Sequence, residues 1–238
     1  MKTLDQSYAE PAMNLACDEI LLNEVDSNQR EATLRFWEPQ SPFVVIGYGN
    51  NIHSECLIES CRRNNIQILR RISGGGTVLQ ARGCLNYSLI LPINDEFGTK
   101  NINSTNCHIM KTHQMAFNKA LNNGVTIEGH TDLALDGLKF SGNAQKRTKN
   151  ALVFHGTFLL NLEIKLLDLS LKMPSLEPKY RKGRSHHNFC RNIPISAIST
   201  KKLIKKTWDA QGIANPVDDK KIEELTITKY TQKKWIYR

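Results

Sequence analysis

The stretch that decides the fold reads Arg70-Arg71-Ile72-Ser73-Gly74-Gly75-Gly76-Thr77-Val78-Leu79-Gln80-Ala81-Arg82-Gly83-Cys84-Leu85-Asn86-Tyr87-Ser88-Leu89-Ile90-Leu91. It sets a glycine triplet between two β-rich runs, 66–70 and 85–91, the second stopped at Pro92. Consecutive glycines lose more backbone entropy on folding than other residues, so a triplet makes sense where a backbone must pass close to a ligand. Unpaired N–H groups there can form an anion-binding nest, and Arg70 and Arg71 add forked donors for phosphate or carboxylate. No Gly-Lys-Ser/Thr follows, which excludes a P-loop, and Leu79 stands where a dinucleotide fingerprint needs its third glycine. Taken alone, the triplet reads equally well as a flexible hairpin tip with solvated arginines.

Outward from this stretch, helices and strands mix without strict alternation. A Pro-led amphipathic helix buries Ala12, Leu15, Ala16 and Ile20 at three- and four-residue spacing. Runs 33–37 and 43–46 read as strands and 55–64 as a polar helix. Residues 94–106 read as a polar loop, followed by a helix over 107–121. Residues 132–135 and 139–141 flank Asp136-Gly137, a favoured two-residue hairpin turn. Runs 151–154 and 157–160 form a further strand region, followed by a short helix, a basic loop at 172–188 and helices near 199–212 and 217–229. This pattern predicts an α+β fold, a mixed sheet flanked by helices, rather than a doubly wound one.

The 238 residues are 40% hydrophobic and 23% charged, which suits one large globular domain with a basic helical part over about 163–238. Mean hydropathy is −0.41 and no apolar run approaches the roughly 20 residues of a membrane helix. Six cysteines occur without a C-x-x-C pair, as expected of reduced thiols in a cytoplasmic protein. Residues 1–138 carry 11 positive and 15 negative charges, whereas 139–238 carry 21 and 8. The basic half points to an anionic partner, or to a solvated lysine-rich face. No nucleic-acid-binding pattern accompanies the charge.

Two further segments carry chemistry. In the run 129–147, Lys139 follows a tight turn between Leu138 and Phe140, with Gly142 permitting close approach. An ammonium held there could donate to an acyl carbonyl or phosphate; its plain alternative is a hairpin lysine in water. In Phe154-His155-Gly156-Thr157, a histidine interrupts an apolar strand, where hydrogen-bonded core histidines are commoner than catalysts. Metal-ligand spacings are missing.

In this order, RRISGGGTVLQARGCLNYSLIL (70–91), GHTDLALDGLKFSGNAQKR (129–147) and FHGTFLLNLE (154–163) resemble the lipoate–protein ligase and octanoyltransferase family, whose catalytic fold is shared with biotin–protein ligases. The first helix with Asp18-Glu19, the stretch 174–186 and the terminal 228–235 match more weakly. The resemblance implies a lipoyl-adenylate site. Arg70 and the backbone of Ser73, Gly74, Gly75, Gly76 and Thr77 would hold carboxylate and phosphate. Lys139 would act on the acyl carbonyl. Asp132 would stand on the nucleotide side, and Gly142, Asn143 and Ala144 would line the pocket. The histidine usual after the glycine loop is replaced by Gln80, and His155 is a further candidate.

The resemblance implies a ligase that uses ATP with Mg2+ to activate lipoate or octanoate. Its acceptors would be acidic lipoyl domains, namely 2-oxoacid dehydrogenase E2 subunits and the glycine cleavage H protein. Lys179, Arg181, Lys182 and Arg184 are candidates for the acceptor surface. By that resemblance the accessory domain of longer ligases is expected to be absent, with a separate accessory chain in its place or a single-domain variant. A transferase working through a cysteine thioester is the alternative, with Cys190 as its candidate thiol. A non-catalytic lipoyl-domain-binding protein stays open beside both.

Overall fold

The computed structural model describes residues 1–238. Ten strands are β1 (Lys2–Asp5), β2 (Thr33–Trp37), β3 (Phe43–Ile46), β4 (Gln67–Arg70), β5 (Val78–Gln80), β6 (Cys84–Pro92), β7 (Val125–Glu128), β8 (Asp132–Leu135), β9 (Leu138–Arg147) and β10 (Ala151–Leu159). The helices are α1 (Pro11–Asp26), α2 (Ile52–Glu55), α3 (Ile58–Arg63), α4 (Ile102–Ala120), α5 (Lys165–Ser170), α6 (His186–Phe189), α7 (Ala197–Thr207), α8 (Asp219–Leu225) and α9 (Lys233–Ile236). A seven-stranded sheet runs in the order β1-β2-β6-β10-β9-β8-β7, parallel only between β1 and β2. A smaller sheet, β4-β3-β5, carries the glycine loop between β4 and β5. The expected α+β class is what forms.

Strand β6 explains the layering. Leu85, Tyr87, Leu89 and Leu91 turn to one face and join Met110 and Phe117 of α4 and Ile204 of α7 in one core. Ile90 turns to the other face and packs with Leu15, Leu21 and Leu22 of α1, where each buried aliphatic chain contributes about 1.5–3 kcal/mol. Asn86 and Ser88 share that second face and are buried as well. Polar side chains buried on a sheet face need partners, and theirs define the site below.

The structure differs from the sequence reading in several places. The polar helix expected over 55–64 is two short helices, because Cys56 is drawn out into a bridge with Leu171. Helix α4 begins at Ile102, inside the expected loop, where Asn101 and Ser104 form a capping box. Strands β1, β5 and β7, of four, three and four residues, are too short to stand out in the sequence and were not expected. The helix expected over 217–229 is α8 followed by a wider-wound turn, Thr226–Tyr230, with α9 after it. No helix is long and apolar enough to cross a membrane.

Candidate functional site

Two rows of side chains cross the large sheet toward α1 and the glycine loop. Arg35, Ser88, His155 and Ala144 are register partners on β2, β6, β10 and β9. One step along, Asn86, Thr157, Gly142 and Asp132 are partners on β6, β10, β9 and β8.

A bulge puts Lys139 on this face. Leu133 pairs with Ser141 but Ala134 pairs with Lys139, so Phe140 is an extra residue without a partner. Strict alternation would set Lys139 and Gly142 on opposite faces; an inserted residue re-aims the chain. Phe140 enters the core of α4, and the Lys139 side chain lies across Gly142 to reach Asp132, Nζ to Oδ1 2.8 Å. Tyr180, from the basic loop, donates its hydroxyl to Asp132 Oδ2 at 2.8 Å. Burial and the facing carboxylate push that phenol well up, so it stays a donor. The sequence reading missed Tyr180; its only signal was a weakly matching stretch.

The glycine loop is pinned by its carbonyls. Ser73 O accepts from the Tyr48 amide at 2.8 Å, and Gly75 O from Asn50 Nδ2 at 3.2 Å. Arg71 Nη2 donates to Gly74 O at 2.5 Å and to Gly76 O at 2.8 Å. In a trans peptide the N–H points opposite to the C=O. The amides of Gly74, Gly75, Gly76 and Thr77 are therefore turned away from these donors, and those of the three glycines donate to no protein acceptor. Gly47 permits the close approach, since a Cβ there would collide with Gly75 O. Ala144 Cβ lies 3.5 Å from where a Gly75 side chain would begin, so the loop sits over the same strand segment as the Lys139 amine.

Neither arginine stands free in front of this loop: Arg71 lies under it, and Arg70 under the neighbouring 47–50 segment. Arg71 is buried, donating also to Ser73 Oγ at 2.9 Å and Val45 O at 3.3 Å, and burial pulls its guanidinium down to about 10. Arg70 is fully buried and donates to the carbonyls of Gly47, Tyr48, Asn50, Trp235 and Ile236 at 2.7–3.0 Å. Neither pairs with an Asp or Glu carboxylate. The expectation that Arg70 grips a ligand directly is corrected: its donors are spent on the 47–50 segment and the C-terminal helix.

The other expected residues divide. Ser73 and His155 meet, Oγ to Nε2 2.6 Å. Thr77 is turned toward Asn50, with Nδ2 3.4 Å from its Oγ1. Asn143 points to the opposite face, accepting from Tyr87 Oη at 2.6 Å and donating to Thr131 O at 2.6 Å, so its side chain does not line the pocket with Gly142 and Ala144. Gln80 is closed into a ring, donating to Thr157 Oγ1 at 2.7 Å and accepting from Asn86 Nδ2 at 2.9 Å. Of the basic loop, Arg181 is buried and Arg184 bonds Gly137 O and Tyr180 O, both stacked on Phe189; Lys179 and Lys182 remain exposed.

Cys190 bridges Lys139 along the backbone. Burial pushes its thiol up, against the pull of the Lys139 and Arg181 charges. Burial likewise raises Cys17 to about 11, Cys56 and Cys84 to about 12, and Cys61 upward; Cys107 is exposed on α4. No cluster of three or more His, Cys, Asp or Glu is arranged for a metal ion.

The family description that matches residues 10–210 is the lipoyl protein ligase A/B catalytic domain. The chain is 27% identical to lipoate-protein ligase LplJ of Bacillus subtilis over 97% of its own length and 66% of that protein's. It is also 29% identical to octanoyltransferase LipM of Clostridioides difficile, over 74% of this chain and 71% of the relative. The chain thus spans about two thirds of the length of LplJ, and 45% of a Mycoplasma genitalium relative. Its fold matches a lipoate-protein ligase A bound with ATP (TM-score 0.81, 20% identity, covering 99% of this chain and 98% of that one). It also matches a structure of a bi-partite lipoate protein ligase and its E2 lipoyl domain from Thermoplasma acidophilum (TM-score 0.79, 20% identity, covering 99% and 95%).

Proposed function

The chain belongs to the lipoyl protein ligase A/B catalytic-domain family, and from that premise we propose that it is an ATP-dependent lipoate–protein ligase. The observation that carries this reading is the glycine loop, with outward amides above the Arg71 guanidinium, which no acidic side chain neutralises. Such a preorganised positive site favours an anion where charge develops. In the first half-reaction the lipoate carboxylate attacks the α-phosphorus of ATP, forming lipoyl-adenylate and releasing pyrophosphate. The loop amides hold the phosphate. The Lys139 ammonium leaves Asp132 to meet the acyl carbonyl and phosphate oxygens. In the second, the neutral amine of an acceptor lysine attacks the carbonyl, the amide forms, and AMP leaves with the electron pair of the broken anhydride bond.

Mg2+ suits this site only as a companion of ATP. It is commonly held by one or two carboxylates together with substrate phosphates, and Asp132 is the carboxylate in place for that. The acidic acceptor domain would meet the exposed Lys179 and Lys182. A separate accessory chain fits the bi-partite character of the Thermoplasma neighbour.

A cysteine-thioester transferase is the second reading, favoured by the Cys190–Lys139 bridge and by the LipM relatives. It needs a thiolate of lowered pKa, and burial acts on Cys190 in the opposite sense. The deciding experiment is mass spectrometry of an acceptor lipoyl domain incubated with enzyme, lipoate and ATP, run beside an octanoyl carrier reaction without ATP. Modification only with ATP, retained in Cys190→Ala, supports the ligase. Modification from the carrier, lost in Cys190→Ala and preceded by a hydroxylamine-sensitive adduct, replaces it with the transferase.

A further inference from the structure

Asp18 hangs from α1 over the row Arg35–Ser88–His155. Its Oδ1 accepts from Arg35 Nη1 at 2.6 Å, and its Oδ2 accepts from Ser88 Oγ at 2.7 Å and lies 3.5 Å from His155 Nδ1. At the other end of the imidazole, Nε2 is 2.6 Å from Ser73 Oγ, where the glycine loop begins. Asp18 and Ser73 are both buried, so neither side chain is open to solvent.

The proton positions follow from donors that have no choice. Arg71 Nε is always a donor and donates to Ser73 Oγ at 2.9 Å. The one remaining partner of the Ser73 hydroxyl is His155 Nε2, so its proton is satisfied only when Nε2 accepts, which leaves the ring proton on Nδ1, facing Asp18. In the opposite tautomer a bare Nδ1 would face the Asp18 carboxylate, acceptor against acceptor, in a place with little water to repair the mismatch. Arg35 does not need the second carboxylate oxygen: its remaining donors go to Asn14 O, Asn14 Oδ1 and Gln6 O.

We propose that Asp18 is a positioning residue which, through His155, fixes the Ser73 hydroxyl and with it the entrance of the glycine loop. A carboxylate that touches no substrate thereby sets acyl-adenylate affinity. The affinity part rests on the ligase reading above; the hydrogen-bond relay does not.

The test uses the full chain in two arms. In the first, ring nitrogen shifts of 15N-histidine-labelled protein should show His155 as the Nδ1–H tautomer. In Asp18→Asn, Arg35 claims the amide oxygen and the NH2 group faces the ring, which should switch it to Nε2–H. A wild-type ring protonated at Nε2, or an unchanged tautomer in a folded Asp18→Asn protein, overturns the relay.

In the second arm, titration calorimetry follows a non-hydrolysable acyl-sulfamoyl-adenosine. Asp18→Asn and Ser73→Ala should each weaken binding about tenfold, the loss of one hydrogen bond's positioning. The double variant should bind no worse than Ser73→Ala, and Ser73→Thr should bind close to wild type. Additive losses would mean that Asp18 only stabilises the fold, and would overturn the proposal. If Asp18→Asn does not fold, His155→Gln, which leaves the Asp18–Arg35 pair intact, runs the same cycle with the same two outcomes. A wild type that binds no acyl-adenylate analogue overturns the ligand reading of the loop and the affinity claim built on it, while the tautomer still decides the relay.

Discussion

Replacing Arg71 by Lys should cost both stability and anion affinity. The guanidinium spreads its donors over four acceptors, Ser73 Oγ, Val45 O, Gly74 O and Gly76 O. A lysine keeps the charge, but its three donors radiate from one nitrogen and cannot serve both the Nε side and the Nη2 side of that fork. At least two acceptors lose their partner in a buried place. At roughly 1–2 kcal/mol for each such bond to a charged donor, Arg71→Lys should lose about 2–4 kcal/mol. For a chain of this size that lowers Tm by roughly 5–15 °C. Release of Gly74 O or Gly76 O also lets its peptide turn, which takes the Gly75 or Thr77 amide out of the outward set. Affinity for an acyl-sulfamoyl-adenosine should fall about 10- to 100-fold. Arg70→Lys, whose bonds run to the 47–50 loop and the C-terminal helix, should lower Tm comparably with a smaller loss of affinity. Melting curves and calorimetry on the three proteins check this. A destabilised Arg71→Lys with wild-type affinity would refute the claim that Arg71 shapes the loop.

Lys139→Ala should cost on the order of 10²-fold or more in rate with little change in melting; near-wild-type modification of an acceptor domain would remove the role given to the ammonium. Raising salt past about 0.1 M should raise the KM for an acidic acceptor steeply and leave the KM for lipoate nearly unchanged, and equal sensitivity of both would make the basic half a solvated surface only. Tyr180→Phe removes the phenol from Asp132 and should lower kcat/KM for ATP about three- to tenfold; unchanged kinetics would show that Asp132 and Lys139 hold their positions without it.

Much of the site was legible because its residues lie in local motifs. The glycine triplet, Lys139 after Asp136-Gly137, and His155 within an apolar strand could each be singled out from spacing and chemistry. What stayed hidden depends on register. Asn86 and Ser88 break the apolar run of β6, a visible anomaly, yet their partners Thr157 and His155 lie far along the chain and only pairing reveals them. The resemblance implies Asn143 as pocket lining beside Gly142 and Ala144, but a strand turns successive side chains to opposite faces, and Asn143 belongs to the face of α4. Arg70 and Arg71 look alike in sequence. Their division of labour follows from where β4 ends, Arg70 still in the strand and Arg71 in the turn beneath the loop.

The position of Lys139 shows how far function here rests on a single backbone irregularity. Its neighbours in sequence, Leu138 and Phe140, are ordinary strand residues, and the lysine alone does not say which face it serves. Were the same residues paired without the bulge, a one-step shift would send the amine to the face of α4 and bring Phe140 toward Asp132. The bulge instead buries the Phe140 ring against Phe117, ring centres 5.3 Å apart, so packing on one face holds the strand in the register that the other face needs. The same coupling recurs across the sheet. The bonds that satisfy Asn86 and Ser88 on the site face are held in line by Leu85, Tyr87 and Leu89 in the core behind them. A residue identity is therefore weaker evidence for this chemistry than the register that places it. The same residues paired without the bulge, Phe140 opposite Ala134 and Lys139 opposite Leu135, would be expected to lose the Lys139–Asp132 pair, and with it the ammonium on the site face.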